Sequence, residues 1–74
     1  MECIEQSIAA NLRAHRAVAR LSQQEVADRI GVSRATVRAW ENGKNLVSVD
    51  SLIALADLYG VRVDDLIGRR RKTA

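Results

Sequence analysis

The stretch at residues 21–43, LSQQEVADRIGVSRATVRAWENG, combines a helical pattern with a glycine in its middle. Ser22 and Glu25 have the spacing of a capping box, in which the hydroxyl and the carboxylate each accept a backbone N–H at the start of a helix. A cap of this kind contributes about 1 kcal/mol to helix stability. The pattern therefore predicts a short helix that begins after Ser22 and buries Val26 and Ile30.

Gly31 divides this pattern, because glycine enters the left-handed backbone region without steric cost and is common at helix ends. Ser33 then supplies a second cap, and another helix is expected to run to about Asn42, with Gly43 closing it. Two short helices joined by a tight turn with a glycine form a helix-turn-helix, which places its second helix in the major groove of DNA. The second of these helices is therefore the candidate recognition helix.

Helical spacing of apolar residues continues on both sides of this unit. It predicts a first helix over about residues 4–19, a fourth that starts after Ser48 and ends at Gly60, and a short fifth over residues 63–67. The chain contains no proline. The predicted fold class is therefore all-α, with five helices of which helices 2 and 3 form the helix-turn-helix.

The chain of 74 residues is long enough for one small domain, which buries about 60 per cent of the extended surface. We assign that helix-turn-helix DNA-binding domain to residues 1–68. Residues 69–74 form a basic tail with nothing apolar to bury, and we expect it to be mobile. Because the tail alone carries four positive charges, the formal net charge of +3 leaves −1 for the rest of the chain.

Composition argues against several other classes of protein. Cys3 and His15 are the single cysteine and the single histidine, so one chain cannot assemble an internal disulfide or a multi-ligand Cys/His metal site. No catalytic arrangement of nucleophile, histidine and acid can be drawn, and we expect neither a cofactor nor enzymatic activity. Since no stretch approaches the roughly 20 apolar residues needed to cross a bilayer, we expect a cytoplasmic protein with no membrane partner.

The ordered string LSQxxVAxxxGVSxxTVxxWENG, preceded by Arg16, resembles the Cro/phage-repressor (XRE-like) helix-turn-helix family of DNA-binding transcription regulators. Further matching positions are Leu52, Ala56, Gly60, Val61 and Leu66, so that the resemblance covers about residues 8–67. It implies a five-helix lambda-repressor-like DNA-binding domain. It also implies sequence-specific binding of double-stranded DNA by a small transcriptional regulator, which we expect to be a repressor.

Four residues of the recognition helix are predicted to contact bases. Arg34 lies in the first turn, where family members place base-contacting side chains, and an arginine there can offer two parallel donors to O6 and N7 of guanine. Arg38, one turn on, can reach a base edge or a phosphate. Ala35 and Ala39 are small enough to allow close approach and to touch a thymine methyl. The alternative is an ordinary pair of solvated arginines on a surface helix.

Four further residues are predicted to contact phosphates. Gln23 resembles the family's phosphate-contacting glutamine at the start of helix 2, although a simple polar residue at a helix start is the alternative. By the same resemblance, Asn42 and Lys44 are backbone anchors just past the recognition helix, with helix capping as the rival role of Asn42. Ser33 is expected to combine its cap with a phosphate or base contact.

A structural ion pair is predicted between Arg16 and Glu41. Arg16 lies at the margin of the apolar face of helix 1, where a charge needs a partner. The family commonly pairs an arginine in this position with the glutamate that follows the large apolar residue, here Trp40. Glu41 is therefore interpreted as structural, and Trp40 as part of the core.

Two positions depart from the family pattern. Val47 stands where a proline often precedes helix 4, and Arg62 stands where many members have a capping serine before helix 5. Without these features, the apolar residues near the two sites are expected to be more exposed to solvent than a stable monomer favours, and a subunit interface could cover them. These residues are Leu46, Val47, Val49 and Val63.

One recognition helix reads only about four base pairs, so a homodimer on a palindromic operator is expected, with half-sites about one helical turn apart. Helix 5 and the end of helix 4 are the expected dimer surface. The alternative function is an antitoxin-like or adaptor module that binds a protein partner with the same fold. Four acidic residues could serve that purpose: Asp50, Asp57, Asp64 and Asp65.

Overall fold

The computed structural model describes residues 4–68. Five helices follow one another along the chain: α1 (Ile4–Ala19), α2 (Gln23–Ile30), α3 (Arg34–Glu41), α4 (Val49–Tyr59) and α5 (Val63–Ile67). The predicted all-α fold with five helices is confirmed. The predicted basic tail at residues 69–74 lies outside the described residues. Within those residues, no helix is long and apolar enough to cross a membrane.

The capping box at the start of α2 is present. The Glu25 N–H donates to Ser22 Oγ at 3.0 Å, and the Ser22 N–H donates to Glu25 Oε1 at 2.8 Å. The backbone bond, followed by the hydroxyl bond, holds the pKa of the Glu25 carboxyl below its usual value. α2 then ends at Gly31, whose φ of 78° is left-handed and whose N–H donates to Ala27 O at 2.9 Å. The predicted bend between α2 and α3 is therefore confirmed.

The remaining helix starts also follow local signals. Ser33 Oγ accepts the Thr36 N–H at 3.1 Å to start α3, and Ser48 Oγ caps α4. At α5 the residue before the helix is Arg62, which has no side-chain acceptor to offer. Asp65 compensates in part, because its carboxylate accepts the Arg62 N–H at 3.0 Å.

The core lies between all five helices. Trp40 is 6% exposed, as predicted for a core residue, and Leu66 of the short α5 is fully buried. The other buried apolar residues are Ile8, Ala9, Leu12, Val26, Ala27, Val37, Leu52, Leu55 and Ala56. Since α2 and α3 bury one face each in this core, their opposite faces are left on the surface.

α5 is joined to α1 by a side chain that the sequence pattern did not single out. Asn11 Nδ2 donates to Leu66 O at 3.1 Å. Carbonyl groups in the last turn of a helix have no intrahelical partner, so the amide satisfies a group that the helix cannot. Asn11 thereby fixes the end of a helix that has only five residues.

Tyr59 packs its ring against His15, with the ring centroids 6.2 Å apart and the planes inclined by 22°. Its hydroxyl is buried and has no hydrogen-bond partner within residues 4–68. Burial, and after it the Glu41 charge, raise the pKa of Tyr59 to about 12, against the opposing effect of the Arg16 charge. The neutral phenol is therefore the form that the folded protein favours.

We expect the wild type to lose stability at alkaline pH as Tyr59 ionises, and the Tyr59→Phe variant not to show this loss. The pKa of Tyr59 in the folded protein lies above the ordinary value of 10. The stability that the neutral phenol gives the wild type is therefore complete below pH 10 and is lost as the pH rises through 12. The variant should be at least as stable as the wild type at pH 7, since it removes an unpaired buried hydroxyl. Urea unfolding of both proteins at pH 7 and at pH 11 measures this. A stability difference between the two proteins that is the same at pH 7 and pH 11 would contradict the raised pKa of Tyr59.

Candidate nucleic-acid interface

The outward face of α3 carries the four residues predicted to contact bases. Arg34, Ala35 and Arg38 are exposed and Ala39 is partly exposed, while Val37 on the opposite face is buried. A shallow concavity runs along this face, lined by Arg34, Ala35, Arg38, Ala39, Asn42 and Lys44. The helical repeat brings these residues together, because positions four apart lie on the same side of a helix.

The concavity combines positive charge with small apolar side chains, which suits a polyanion that also carries hydrogen-bonding and apolar groups. Its lining contributes the positive charges of Arg34, Arg38 and Lys44. Next to the arginines, the small side chains of Ala35 and Ala39 leave room for a ligand to approach the helix backbone. Long cationic side chains beside small apolar ones are the combination that reads base edges in a major groove.

A second concavity lies beside the first, at the start of α2. It is lined by Arg16, Ser22, Gln23, Gln24 and Arg34. Because Arg34 lines both concavities, the outward face of α3 and the N-terminal end of α2 form one continuous surface. We call the residues that line the two concavities the recognition surface. The first N–H groups of a helix favour an anion, which suits a phosphate at this end of the surface.

Arg16, which is part of the recognition surface, forms a bidentate ion pair with the buried Glu41. Arg16 Nε donates to Glu41 Oε2 at 2.8 Å, and Nη2 donates to Oε1 at 3.0 Å. The side chain of Arg16 is 24% exposed and that of Glu41 is 2% exposed. The hydrogen bonds to the carboxylate raise the pKa of Arg16, against the opposing effect of burial. Arg16 Nη1 also donates to Leu21 O at 3.0 Å, so the same side chain holds the link before α2.

Glu41 makes two further contacts that sequence reasoning missed. Gln23 Nε2 donates to Glu41 Oε1 at 3.0 Å, so one amide hydrogen of the predicted phosphate contact is already engaged within the protein. Arg13 Nη1 donates to the Glu41 main-chain carbonyl. That carbonyl lies at the C-terminal end of α3, where a cation is favourable. The spacing of Arg13 and Arg16 on one helix face was the available signal.

The two predicted anchors after α3 lie at the edge of the recognition surface. Asn42 occupies the C-cap position, where its N–H donates to Arg38 O at 2.9 Å, and its side chain is exposed. Gly43 takes the left-handed turn, with φ of 75°. The chain then returns so that the Lys44 N–H donates to Ala39 O at 3.0 Å. Asn42 therefore ends the helix through its backbone and leaves its amide on the surface.

Comparison with known proteins agrees with this architecture. The family model described as Helix-turn-helix matches residues 12–66, which include the whole recognition helix. The chain belongs to the XRE-type helix-turn-helix family. Proteins of this family are DNA-binding transcription regulators, as the string around Gly31 implied. The match therefore supports a DNA-binding transcription regulator.

Relatives of this XRE-type domain carry names of the same kind. An HTH-type transcriptional regulator of Methanocaldococcus jannaschii is 36% identical over 74% of this chain and 83% of its own length. The cryptic phage CTXphi transcriptional repressor RstR of Vibrio cholerae is 33% identical over 65% of this chain. The match spans 43% of the length of RstR, so the likeness to RstR concerns the helix-turn-helix domain.

Solved structures share the fold. The clp gene regulator ClgR from Corynebacterium glutamicum superimposes with a TM-score of 0.84 at 26% identity, over 89% of this chain and 70% of that protein. The predicted five-helix lambda-repressor-like arrangement is thus confirmed at the level of the fold.

Proposed function

We propose that this XRE-type domain binds double-stranded DNA sequence-specifically, as a homodimer on a palindromic operator, and represses transcription in the cytoplasm. The observation that carries the proposal is the part of the recognition surface on α3, where Arg34 and Arg38 are exposed and each is followed by an alanine. The name of RstR as a transcriptional repressor supports the choice of repression.

Arg34 is the residue that we assign to direct base readout. It belongs to both concavities, at the first turn of α3, so its guanidinium can enter the groove while the start of α2 meets the DNA backbone. A planar guanidinium matches O6 and N7 of guanine with two parallel hydrogen bonds. We assign Arg38 to a base edge or a phosphate one turn farther along, and Ala35 and Ala39 to thymine methyl contacts.

Phosphate contacts come from residues around this central arginine. Gln23 keeps one amide N–H beyond its bond to Glu41, and Asn42 and Lys44 extend the surface at its other end. Ser33 Oγ lies 2.9 Å from Thr36 Oγ1 and accepts the Thr36 N–H. When the Thr36 hydroxyl donates to Ser33 Oγ, the hydroxyl hydrogen of Ser33 can be donated to a phosphate.

A second copy of the chain is the partner that we propose for an apolar surface that begins in the loop after α3 and continues on α4, formed by Leu46, Val49 and Ile53. Their side chains are 54%, 72% and 49% exposed. Val49 and Ile53 lie one turn apart on the same face of α4. α5 contributes less apolar surface, since Leu66 is fully buried. These exposures support the start of α4 as the proposed dimer surface, whereas the sequence alone suggested α5 and the end of α4.

The position of this surface fits a DNA-binding dimer. Leu46 follows two residues after Lys44, which lines the recognition surface. Two copies joined there by a two-fold axis would present both recognition helices to the same side of a duplex. Such an arrangement reads two half-sites about 34 Å apart, and the symmetry of the protein then requires a palindrome.

Selection of bound duplexes from a random DNA pool tests the proposal. We expect enrichment of a palindrome with a guanine in each half-site, and binding that weakens steeply with salt, with a log–log slope of about 0.9 for each phosphate neutralised. A pool that shows no enriched sequence, with binding that varies little with salt, would contradict the proposal. That outcome would favour the antitoxin-like or adaptor function instead.

A further inference from the structure

The carboxylate of Glu41 joins two parts of the recognition surface. It is 2% exposed at the end of α3 and accepts three hydrogen bonds. Arg16 donates two of them, and the amide of Gln23 at the start of α2 donates the third, at 3.0 Å to Oε1. The Gln23 amide is therefore hydrogen-bonded to the Glu41 carboxylate, a buried group that cannot move without disturbing the core.

The ion pair does not need this amide. Arg16 already donates to both carboxylate oxygens of Glu41. A buried ion pair also contributes less than its attraction suggests, because desolvation of both charges opposes it, and apolar residues of similar size often serve a fold equally well. The bond between Gln23 and Glu41 thus has a consequence beyond stability, namely the orientation of the amide.

We propose that Glu41 is a positioning residue for DNA binding, which holds the Gln23 amide so that its second N–H is directed at a phosphate. The two N–H donors of a primary amide are fixed relative to each other, so engaging one sets the direction of the other. An unrestrained glutamine loses rotamer freedom when it binds, whereas an ordered one has lost it on folding. This inference rests on the proposed function.

Arg16 makes this arrangement compatible with a phosphate. An isolated carboxylate near the DNA backbone would repel it, but the bidentate pair with Arg16 neutralises the charge of Glu41. Arg16 also lines the concavity that contains Gln23 and Arg34. A phosphate at this place would therefore meet two guanidinium groups and an amide, with the carboxylate behind them.

The neighbouring glutamine provides a matched control. Gln24 lines the same concavity, but its Nε2 donates to the exposed Asp28 Oδ1 at 2.9 Å, within the same helix. It has the same side chain and almost the same place, without a bond to Glu41. Only Gln23 should depend on the buried carboxylate.

A double-mutant cycle separates positioning from a structural role. Gln23→Met and Gln24→Met are each made in the wild type and in a background with Arg16→Met and Glu41→Leu, which replaces the ion pair by apolar side chains. Affinity for the selected operator is measured at one fixed salt concentration, with circular dichroism to verify folding. In the wild type, Gln23→Met should weaken binding about tenfold, as expected for one hydrogen bond to a charged acceptor.

The two backgrounds should then differ for Gln23 alone. In the apolar background, Gln23→Met should change affinity less than about twofold, because the amide there has already lost its orientation. Gln24→Met should cause the same fold-change in both backgrounds. If Gln23→Met weakens binding equally in both, Glu41 does not position the amide and the proposal is wrong.

A measurement on the unmodified protein keeps the test decisive if the apolar background does not fold. Side-chain ¹⁵N relaxation of the free protein should show a more restricted amide for Gln23 than for Gln24. Equal mobility of the two amides would overturn the proposal.

Failure of the inference is distinguishable from failure of the proposed function. If Gln23→Met leaves binding unchanged while Arg34→Ala abolishes sequence preference, the protein is still the proposed regulator and Glu41 is structural alone. If neither substitution affects binding, the proposed function itself is wrong.

Discussion

Replacing Arg16 by methionine should cost about 3–5 kcal/mol of the free energy of unfolding, because it leaves the carboxylate of Glu41 buried without its cation. The loss is large for a chain of 74 residues, whose total stability is expected to be roughly 4–11 kcal/mol. Urea unfolding followed by circular dichroism measures it. A loss below about 1 kcal/mol would show that the ion pair is exchanged for water in solution.

The partner substitution should be milder. Glu41→Leu leaves Arg16 unpaired, but that side chain is 24% exposed and can be hydrated, whereas Glu41 is 2% exposed. Changing both residues, Arg16→Met with Glu41→Leu, should restore much of the stability, since no uncompensated charge is then buried. Arg29→Ala is the control, because Arg29 is exposed on α2 and does not line the recognition surface. A double variant less stable than Arg16→Met would contradict the account.

Arg34→Ala should abolish most of the preference for the operator. We expect a loss of about 1–3 kcal/mol for each half-site on the selected sequence, and a smaller loss on random DNA, since a base contact is absent from the non-specific complex. Binding of both duplexes is measured by fluorescence anisotropy at fixed salt. The variant should remain folded, because Arg34 is exposed and is not part of the core.

Arg29→Ala serves again as the matched control, since it removes the same charge from an exposed position outside the recognition surface. Its effect on the two duplexes should be small and equal. Equal losses on operator and random DNA for Arg34→Ala would show that Arg34 touches phosphate and reads no base. The salt dependence would then also decrease, by about 0.9 in log–log slope for each lost phosphate contact.

Local signals made most of the architecture predictable from the sequence. The bonds that start α2 connect Ser22 with Glu25, three residues apart, and the turn after it depends on the backbone freedom of Gly31. Ser33 caps α3 in the same local way. Signals between residues this close in sequence are read directly, and they determine where the recognition helix begins. Its buried face follows from the spacing of Val37 and Trp40.

Contacts between distant residues were harder to predict. The bond from Gln23 to Glu41 joins residues 18 apart, and the bond from Asn11 to Leu66 joins residues 55 apart. Both depend on how helices pack, which periodicity does not specify. The ion pair of Arg16 and Glu41 was expected because the family pairs these positions. The hydrogen bond from the Gln23 amide to the same carboxylate was not indicated by the sequence pattern.

The proposed dimer surface shows the same limit. The sequence alone suggested α5 and the end of α4, and that stays a prediction, whereas the structure buries Leu66 of α5 in the core and exposes Val49 and Ile53 in the first half of α4. A pattern of apolar residues indicates that a helix has a buried side. It does not indicate whether the chain or a partner covers that side.

The proposed contact between Arg34 and guanine is tested most directly by atomic substitution in the DNA. Each guanine of the selected operator is replaced in turn by 7-deazaguanine, which lacks the N7 acceptor, and the affinity of the wild type and of Arg34→Ala is measured. We expect one guanine in each half-site at which the wild type loses about tenfold and the variant loses nothing. If every position affects the two proteins equally, Arg34 does not read a base and the proposed recognition mechanism is wrong.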